Sequence, residues 1–66
     1  MSKANKLRQV AASLEAEMDA SFQYGGSEIA ERFPETDAIL ETLGYDGPYS
    51  ISANDMRQAA NQLESV

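Results

Sequence analysis

Carboxylates are the side chains of this sequence that could do chemistry, because it contains eleven acidic residues but no histidine and no cysteine. A serine, threonine, tyrosine or lysine nucleophile would have no histidine to take its proton. A carboxyl group that acts as a general acid needs a pKa raised by burial, whereas these acids are predicted to lie on the polar faces of helices. The residue types therefore indicate a protein that is not an enzyme.

The spacing of these residues does not indicate a site for a metal or a nucleotide. Histidine and cysteine, which form the usual zinc sites, are absent, and the acids do not follow the spacing of an EF-hand loop. Gly25-Gly26 lacks the lysine and the spacing of a phosphate-binding loop, and Asp46-Gly47 is predicted to be a simple turn. We expect the chain to bind no metal and no cofactor.

The charge of the chain is negative and unevenly distributed, with a formal net charge of −6. Residues 1–14 carry three basic and no acidic residues, whereas residues 15–47 carry nine acidic residues and one basic residue. Such a field repels nucleic acid and anionic lipid and attracts basic surfaces. We therefore expect the partner to be a larger protein with a basic surface, and neither a nucleic acid nor a membrane.

The acids in the middle of the chain are the main candidate site. If the second and third predicted helices run almost continuously, these acids mark out a ridge of negative charge that can replace a phosphate backbone in a basic groove. The alternative is an ordinary solubilising surface, which is common on small acidic proteins. The acidic residues predicted to bind a partner are Glu28, Glu31, Glu35, Asp37 and Glu41.

Tyrosines beside glycine-rich turns are a second candidate contact. Tyr24, Tyr45 and Tyr49 flank such turns, where side chains are less easily buried, and tyrosine is frequent among the hot spots of protein interfaces. We predict that Tyr24 and Tyr49 are partner-binding anchors. For Tyr45 we favour the alternative, in which the ring closes the core over the third helix.

The elements that must position these residues begin with a long amphipathic helix from about Ala4 to Tyr24. Gly25-Gly26 is expected to end this helix, and Ser27 is the expected N-cap of a short second helix from Glu28 to about Phe33. The spacing of three and four that predicts the first helix is carried by Leu7, Val10, Ala11, Leu14, Met18 and Phe22.

Two more helices are predicted in the second half of the chain. Pro34 suits the first turn of a third helix, which should run to about Leu43 and end at Gly44. Ser52 and Asp55 have the spacing of a capping box and are expected to start the last helix. The sequence thus predicts an all-α bundle of three to four helices, with a possible minor β-bridge near residues 49–51. We expect residues 1–66 to form a single small domain.

The two terminal helices have similar sequences. Residues 4–15 align without gaps on residues 53–64, and seven of the twelve aligned positions are identical. Such a similarity arises either from duplication or from convergence of alanine-rich amphipathic helices. We predict that the two helices present similar faces and pack side by side.

These features predict a small acidic protein-binding factor that occupies the basic, nucleic-acid-binding surface of a larger protein and inhibits it stoichiometrically. In size and charge, though in no motif, the chain resembles the small inhibitors that phages use against host defence, such as anti-CRISPR proteins. One alternative is a self-associating structural or adaptor protein, a homodimer paired through its first helix by Leu7, Val10, Leu14 and Met18. A second is a small helix-turn-helix-like DNA-binding regulator. No apolar run reaches the roughly 18 residues of a membrane span, and we expect a cytoplasmic protein.

Overall fold

The computed structural model of the chain describes residues 2–45 and 50–65. This part of the chain contains four helices and one pair of short strands, which confirms the predicted all-α fold with a minor β element. Tyr24 pairs with Ile51 and Gly25 with Ser50 in an antiparallel register. In chain order the elements are α1 (Lys3–Glu17), β1 (Tyr24–Gly25), α2 (Gly26–Arg32), α3 (Pro34–Thr42), β2 (Ser50–Ile51) and α4 (Ala53–Glu64).

Helices α1 and α4 form the frame of the molecule and pack against each other over most of their length. Each starts at a serine N-cap, because a serine hydroxyl can accept a hydrogen bond from the otherwise unsatisfied N–H groups of the first turn. The Ser2 hydroxyl accepts a hydrogen bond from the Asn5 amide at 3.1 Å. The predicted capping box of α4 is confirmed, since the Asp55 amide donates to the Ser52 hydroxyl and the Ser52 amide donates to the Asp55 carboxylate.

The core lies between these two helices and is closed by the other elements. Both helices contribute large and small apolar side chains to this core, a mixture that can fill the space between two helices without leaving voids. Each large apolar side chain that is buried stabilises the fold by about 1.5–3 kcal/mol. The core contains Leu7, Val10, Ala11 and Leu14 from α1, Met56, Ala59 and Ala60 from α4, and Tyr24, Ile29, Leu40 and Ile51 from the remaining elements.

The predicted side-by-side packing of the similar terminal helices is confirmed, and the pair is antiparallel. Arg8 near the start of α1 pairs with Glu64 at the end of α4, with 2.6 Å between Nη2 and Oε1. Near the other end of the pair, Arg57 of α4 pairs with Glu15 of α1 at 2.5 Å. In the sequence alignment Arg8 corresponds to Arg57, and Glu15 corresponds to Glu64. Each ion pair therefore joins the aligned arginine of one helix to the aligned glutamate of the other helix. The α1–α4 pair therefore has an approximate two-fold relation, like the self-complementary interface of a symmetric dimer.

The prediction that the first helix continues to Tyr24 is wrong, because α1 ends at Glu17. Acidic residues at the C-terminus of a helix oppose the helix dipole, and the last turn contains acids and no base. Beyond it, Asp19 forms a side-chain turn in which its carboxylate accepts hydrogen bonds from the Ser21 amide and hydroxyl at 2.8 and 2.7 Å. The chain therefore changes direction after α1 and enters strand β1 at Tyr24.

The boundaries of α2 and α3 depart less from the prediction. Helix α2 starts at Gly26 with Gly25 as its N-cap, so the prediction that Ser27 is the N-cap is wrong. Pro34 occupies the first turn of α3 as predicted. Phe33 leaves the helical region with φ −134° and ψ 68°, because a residue before proline is sterically driven out of the α conformation. The two helices are thus separate, with a single non-helical residue, Phe33, between them.

Gly44 ends α3, as the sequence predicts. Its φ of +97° lies in the left-handed region, which glycine adopts without a Cβ penalty. The Gly44 amide donates to the Glu41 carbonyl at 3.1 Å, and the Tyr45 amide donates to the Leu40 carbonyl at 3.0 Å. These two bonds form a Schellman motif, which satisfies the last carbonyl groups of the helix.

Candidate protein-binding surface

Every arginine of the chain donates hydrogen bonds to carboxylates of the chain itself. Such charge-assisted bonds are stronger than neutral ones and fix the orientation of the guanidinium group. The guanidinium groups are therefore already used inside the molecule, and the remaining carboxylates determine the charge that a partner meets. The arginine pairs are Arg8 with Glu64, Arg57 with Glu15, and Arg32 with both Glu17 and Glu28.

Arg32 joins the C-terminal end of α1 to α2. Its guanidinium donates two bonds to Glu17, at 2.6 and 3.1 Å, and one to Glu28 at 2.9 Å. It also lies over the ring of Phe33, 5.1 Å from the ring centroid, which is a favourable cation–π distance. The hydrogen bond from Arg32 holds the pKa of the Glu17 carboxyl below its ordinary value, and the two carboxylates raise the pKa of Arg32. The two carboxylates therefore share this one cation.

The acids predicted to bind a partner are held in different ways. Glu28 is ion-paired with Arg32, and Glu35 lies 3.6 Å from the Lys6 ammonium with its side chain 81% exposed. Asp37 is half-buried in the first turn of α3, near its N-terminus. Glu31 and Glu41 are exposed and have no ion pair or side-chain hydrogen bond with the described residues. Among the acids predicted to bind a partner, these two are thus the ones whose negative charge is least neutralised by the chain itself.

The predicted tyrosine anchors have different outcomes. Tyr24 is 4% exposed, and its hydroxyl donates to the Leu14 carbonyl at 3.1 Å. It is therefore part of the core, and the prediction that it is an exposed anchor is wrong. Strand pairing with Ile51 turns its side chain inward, which the glycines next to it do not reveal. Tyr49 lies outside the described residues. Tyr45 is half-buried and packs against the core, as predicted.

Met18 and Phe22 are the exposed large apolar side chains of the described residues, with 50% and 41% of their surface accessible. We call them the Met18–Phe22 patch. The ring of Phe22 packs edge-on against the ring of Tyr24, with 4.9 Å between centroids and 72° between planes. Sequence reasoning missed this patch because the assumed continuation of the first helix placed both side chains on its buried face. Asp19 followed two residues later by Ser21, the pattern of a side-chain turn, was the signal available.

Carboxylates lie near this patch, because Glu17 and Asp19 adjoin Met18 in the chain and Arg32 bonds both Glu17 and Glu28. Burial raises the pKa of the Tyr24 hydroxyl, and the negative charges of Glu17, Glu28 and Asp19 raise it further, while Arg32 lowers it. The Tyr24 hydroxyl and the Met18 amide both donate to the Leu14 carbonyl, and the Phe22 ring packs on Tyr24, so these residues lie close together. Hydrogen bonds from Ser21 hold the pKa of Asp19 below its ordinary value. Three carboxylates and one guanidinium leave a local net charge of −2.

Two shallow clefts lie beside the first turn of α3. One, of about 170 Å³, is lined by Arg32, Phe33 and Thr36, and the other, of about 370 Å³, by Ser2, Lys3 and Ile39; Lys6 and Glu35 border both. The described residues contain no group of three or more acids that could hold a metal ion. Among them there is also no helix that is long and apolar enough to cross a membrane.

The described surface thus combines exposed carboxylates with the two exposed apolar side chains of the Met18–Phe22 patch. Comparison with known proteins gives no match: no protein-family model, no curated protein and no solved structure matches the chain.

Proposed function

We propose that this chain is an acidic protein-binding factor that occupies a basic surface of a larger protein and inhibits that protein stoichiometrically. The observation that carries the proposal is the internal use of all three arginines, since it leaves Glu31, Glu41 and other carboxylates as the charge presented to a partner. Complementary charge accelerates the encounter of two proteins and selects against wrong partners. A basic site that normally holds nucleic acid fits this charge, and we place the encounter in the cytoplasm.

Direct nucleic-acid binding is less well supported. Affinity for a phosphate backbone requires several free Lys or Arg side chains that can displace counterions. Arg57, the only basic residue of α4, donates its hydrogen bond to Glu15. Of the two lysines, Lys6 faces Glu35. A helix that reads DNA would have to give up these pairs first, so the proposal takes a protein as the partner.

Self-association through the first helix is also less well supported. It requires the apolar face of α1, but Leu7, Val10 and Leu14 are buried within the chain, at most 5% exposed. This face is already covered by α4, so a second copy would have to displace that helix. Met18 alone of the residues expected at such an interface is exposed.

The proposal can be tested by affinity capture with tagged protein in a bacterial lysate, washed at low and at high salt. Glu31→Gln/Glu41→Gln removes two negative charges from α2 and α3. Ser13→Lys/Gln58→Lys changes the net charge by the same amount at exposed positions of α1 and α4. We expect a retained basic protein to be lost with the first variant and at high salt, and kept with the second. Circular dichroism of all variants checks that each is folded.

Equal loss of the retained protein with both variants would mean that only the total charge matters, and the proposed surface would be wrong. Inhibition is tested next, by adding the chain to the captured protein and titrating its nucleic-acid binding. A factor that occupies the basic site abolishes that binding at a one-to-one ratio. Unchanged nucleic-acid binding in the presence of excess chain would contradict the proposal of inhibition.

A further inference from the structure

The Met18–Phe22 patch is held in place by the backbone around it, although it lies in the connection between α1 and β1. The Met18 amide donates to the Leu14 carbonyl at 3.0 Å, and the Phe22 amide donates to the Asp19 carbonyl at 3.2 Å. The Asn54 amide, in the first turn of α4, donates to the Ala20 carbonyl at 3.1 Å. A backbone held in this way loses little conformational entropy on binding, which favours affinity.

The surroundings of the patch determine what chemistry fits it. Large exposed apolar side chains with a polar rim are typical of protein interfaces. Here the rim includes Glu17 and Asp19, which adjoin Met18 in the chain, and Glu28, which shares the Arg32 guanidinium with Glu17. Arg32 is already shared between Glu17 and Glu28, so the rim as a whole is negative. A complementary ligand combines apolar side chains with positive charge.

We propose that the Met18–Phe22 patch and its carboxylate rim bind a basic amphipathic segment of the partner protein. Apolar side chains of that segment cover Met18 and Phe22, while its Lys or Arg side chains face Glu17, Asp19 and Glu28. This inference rests on the proposed function and adds to it the kind of partner segment recognised. Phe22 takes the anchor role that the sequence assigned to Tyr24.

Other occupants fit the same surface less well. A second copy of the chain would bring the same carboxylates face to face, and like charges brought together at an interface are destabilising. An anionic lipid surface is repelled by the same rim. A neutral apolar segment would desolvate the carboxylates without supplying a counter-charge, which is costly.

The test uses the whole chain and three fluorescent helical peptides, with affinity measured by anisotropy. The first peptide has leucine on one face and lysine on the other, the second replaces leucine with alanine, and the third replaces lysine with glutamate. We expect the lysine–leucine peptide to bind roughly tenfold to thirtyfold more tightly than the lysine–alanine peptide, the factor that one buried anchor contributes. The glutamate peptide should not bind.

Variants at the patch locate the binding site. Met18→Gln/Phe22→Ser should abolish the preference for leucine over alanine and leave the affinity for the lysine–alanine peptide unchanged. Phe22→Leu keeps an apolar side chain and should retain most of the preference for leucine. It is therefore the control that separates loss of the apolar contact from loss of the fold. Glu31→Gln/Glu41→Gln, away from the patch, should weaken both lysine peptides by the same factor. Thermal melts confirm that each variant is folded at the temperature of the assay.

The outcomes separate this inference from the proposed function. Equal binding of the two lysine peptides, or a leucine preference that survives Met18→Gln/Phe22→Ser, overturns the patch and leaves the acidic factor standing. Failure of both lysine peptides to bind contradicts both proposals. A concentration-dependent dimer in sedimentation that Met18→Gln/Phe22→Ser converts to monomer would assign the patch to a second copy instead. Binding to neutral lipid vesicles that is lost in the same variant would assign it to a membrane.

Discussion

Replacing Thr36 with valine should stabilise the protein. Thr36 lies in the first turn of α3 and is fully buried, and its hydroxyl has no hydrogen-bond partner among the described residues. A buried hydroxyl without a hydrogen-bond partner lowers the free energy of unfolding by about 1–3 kcal/mol. The comparison is with a hydroxyl that is hydrogen-bonded, or with an apolar group of the same shape in its place. Valine keeps the branched shape and has a similar helix propensity, so the substitution removes the penalty with little loss of packing.

The expected change is large for a chain of this size. One kcal/mol corresponds to about 4–8 °C in the melting temperature of a domain of 60–100 residues. Thr36→Val should therefore raise the midpoint of thermal unfolding by about 5–20 °C, measured by circular dichroism and checked by urea unfolding. Thr36→Ser, which keeps the hydroxyl and removes the methyl group, should lower it.

Thr42 is the matched control in the same helix. It is exposed, and its hydroxyl donates to the Ile39 carbonyl at 2.6 Å. Thr42→Val should therefore leave the stability unchanged or lower it slightly, because it removes a bond that is made. If Thr36→Val is neutral or destabilising, the Thr36 hydroxyl is satisfied in solution and the reasoning is refuted.

Three further predictions concern stability. Leu14→Ala should lower the free energy of unfolding, measured by urea titration, by about 2–5 kcal/mol. Leu63→Ala, at the aligned but half-buried position, should lower it by less. Equal decreases in the two variants would contradict the asymmetry of the core. Gly44→Ala should cost about 1–2 kcal/mol through its backbone conformation alone, since an added Cβ meets no atom within 4 Å, and an unchanged urea midpoint would refute the left-handed conformation. Hydrogen bonds from arginines lower the pKa values of Glu17 and Glu64 in the folded state, so their contribution is present above the unfolded pKa and is lost as the pH falls through the folded one. Urea midpoints measured down to acidic pH should show this loss, and Glu17→Gln should flatten the pH dependence.

The parts of the fold that could be predicted depend on local chemistry. Ser52 with Asp55 makes a capping box, Pro34 starts a helix and Gly44 ends one, whatever the rest of the chain does, because each acts on backbone groups within a few residues. The end of α1 depends on distant contacts as well as on the local turn of Asp19 with Ser21. The spacing of Met18 and Phe22 continues the helical pattern, but pairing of β1 with β2 and the bond between Asn54 and Ala20 draw this segment out of the helix.

The candidate surface was predictable in its charge and not in its detail. Counting acids indicates a negative surface, but which acids remain available depends on contacts between distant parts of the chain. Arg32 reaches Glu17, fifteen positions away, and Arg57 reaches Glu15, forty-two positions away. The exchange of Tyr24 for Phe22 as the exposed aromatic residue has the same origin, since strand pairing decides which of two nearby rings faces the core.

The antiparallel α1–α4 pair also determines how the molecule responds to force. Residues 2 and 65 lie at the same end of the pair, next to the ion pair of Arg8 with Glu64. A pull on these residues opens the contacts one helical turn after another, as in a zipper, so little force is needed at any moment. A pull between residues 2 and 54, at opposite ends of the pair, loads all the contacts together in shear. Optical-tweezers experiments should therefore find a clearly lower unfolding force for the first attachment than for the second, and equal forces would contradict the antiparallel arrangement.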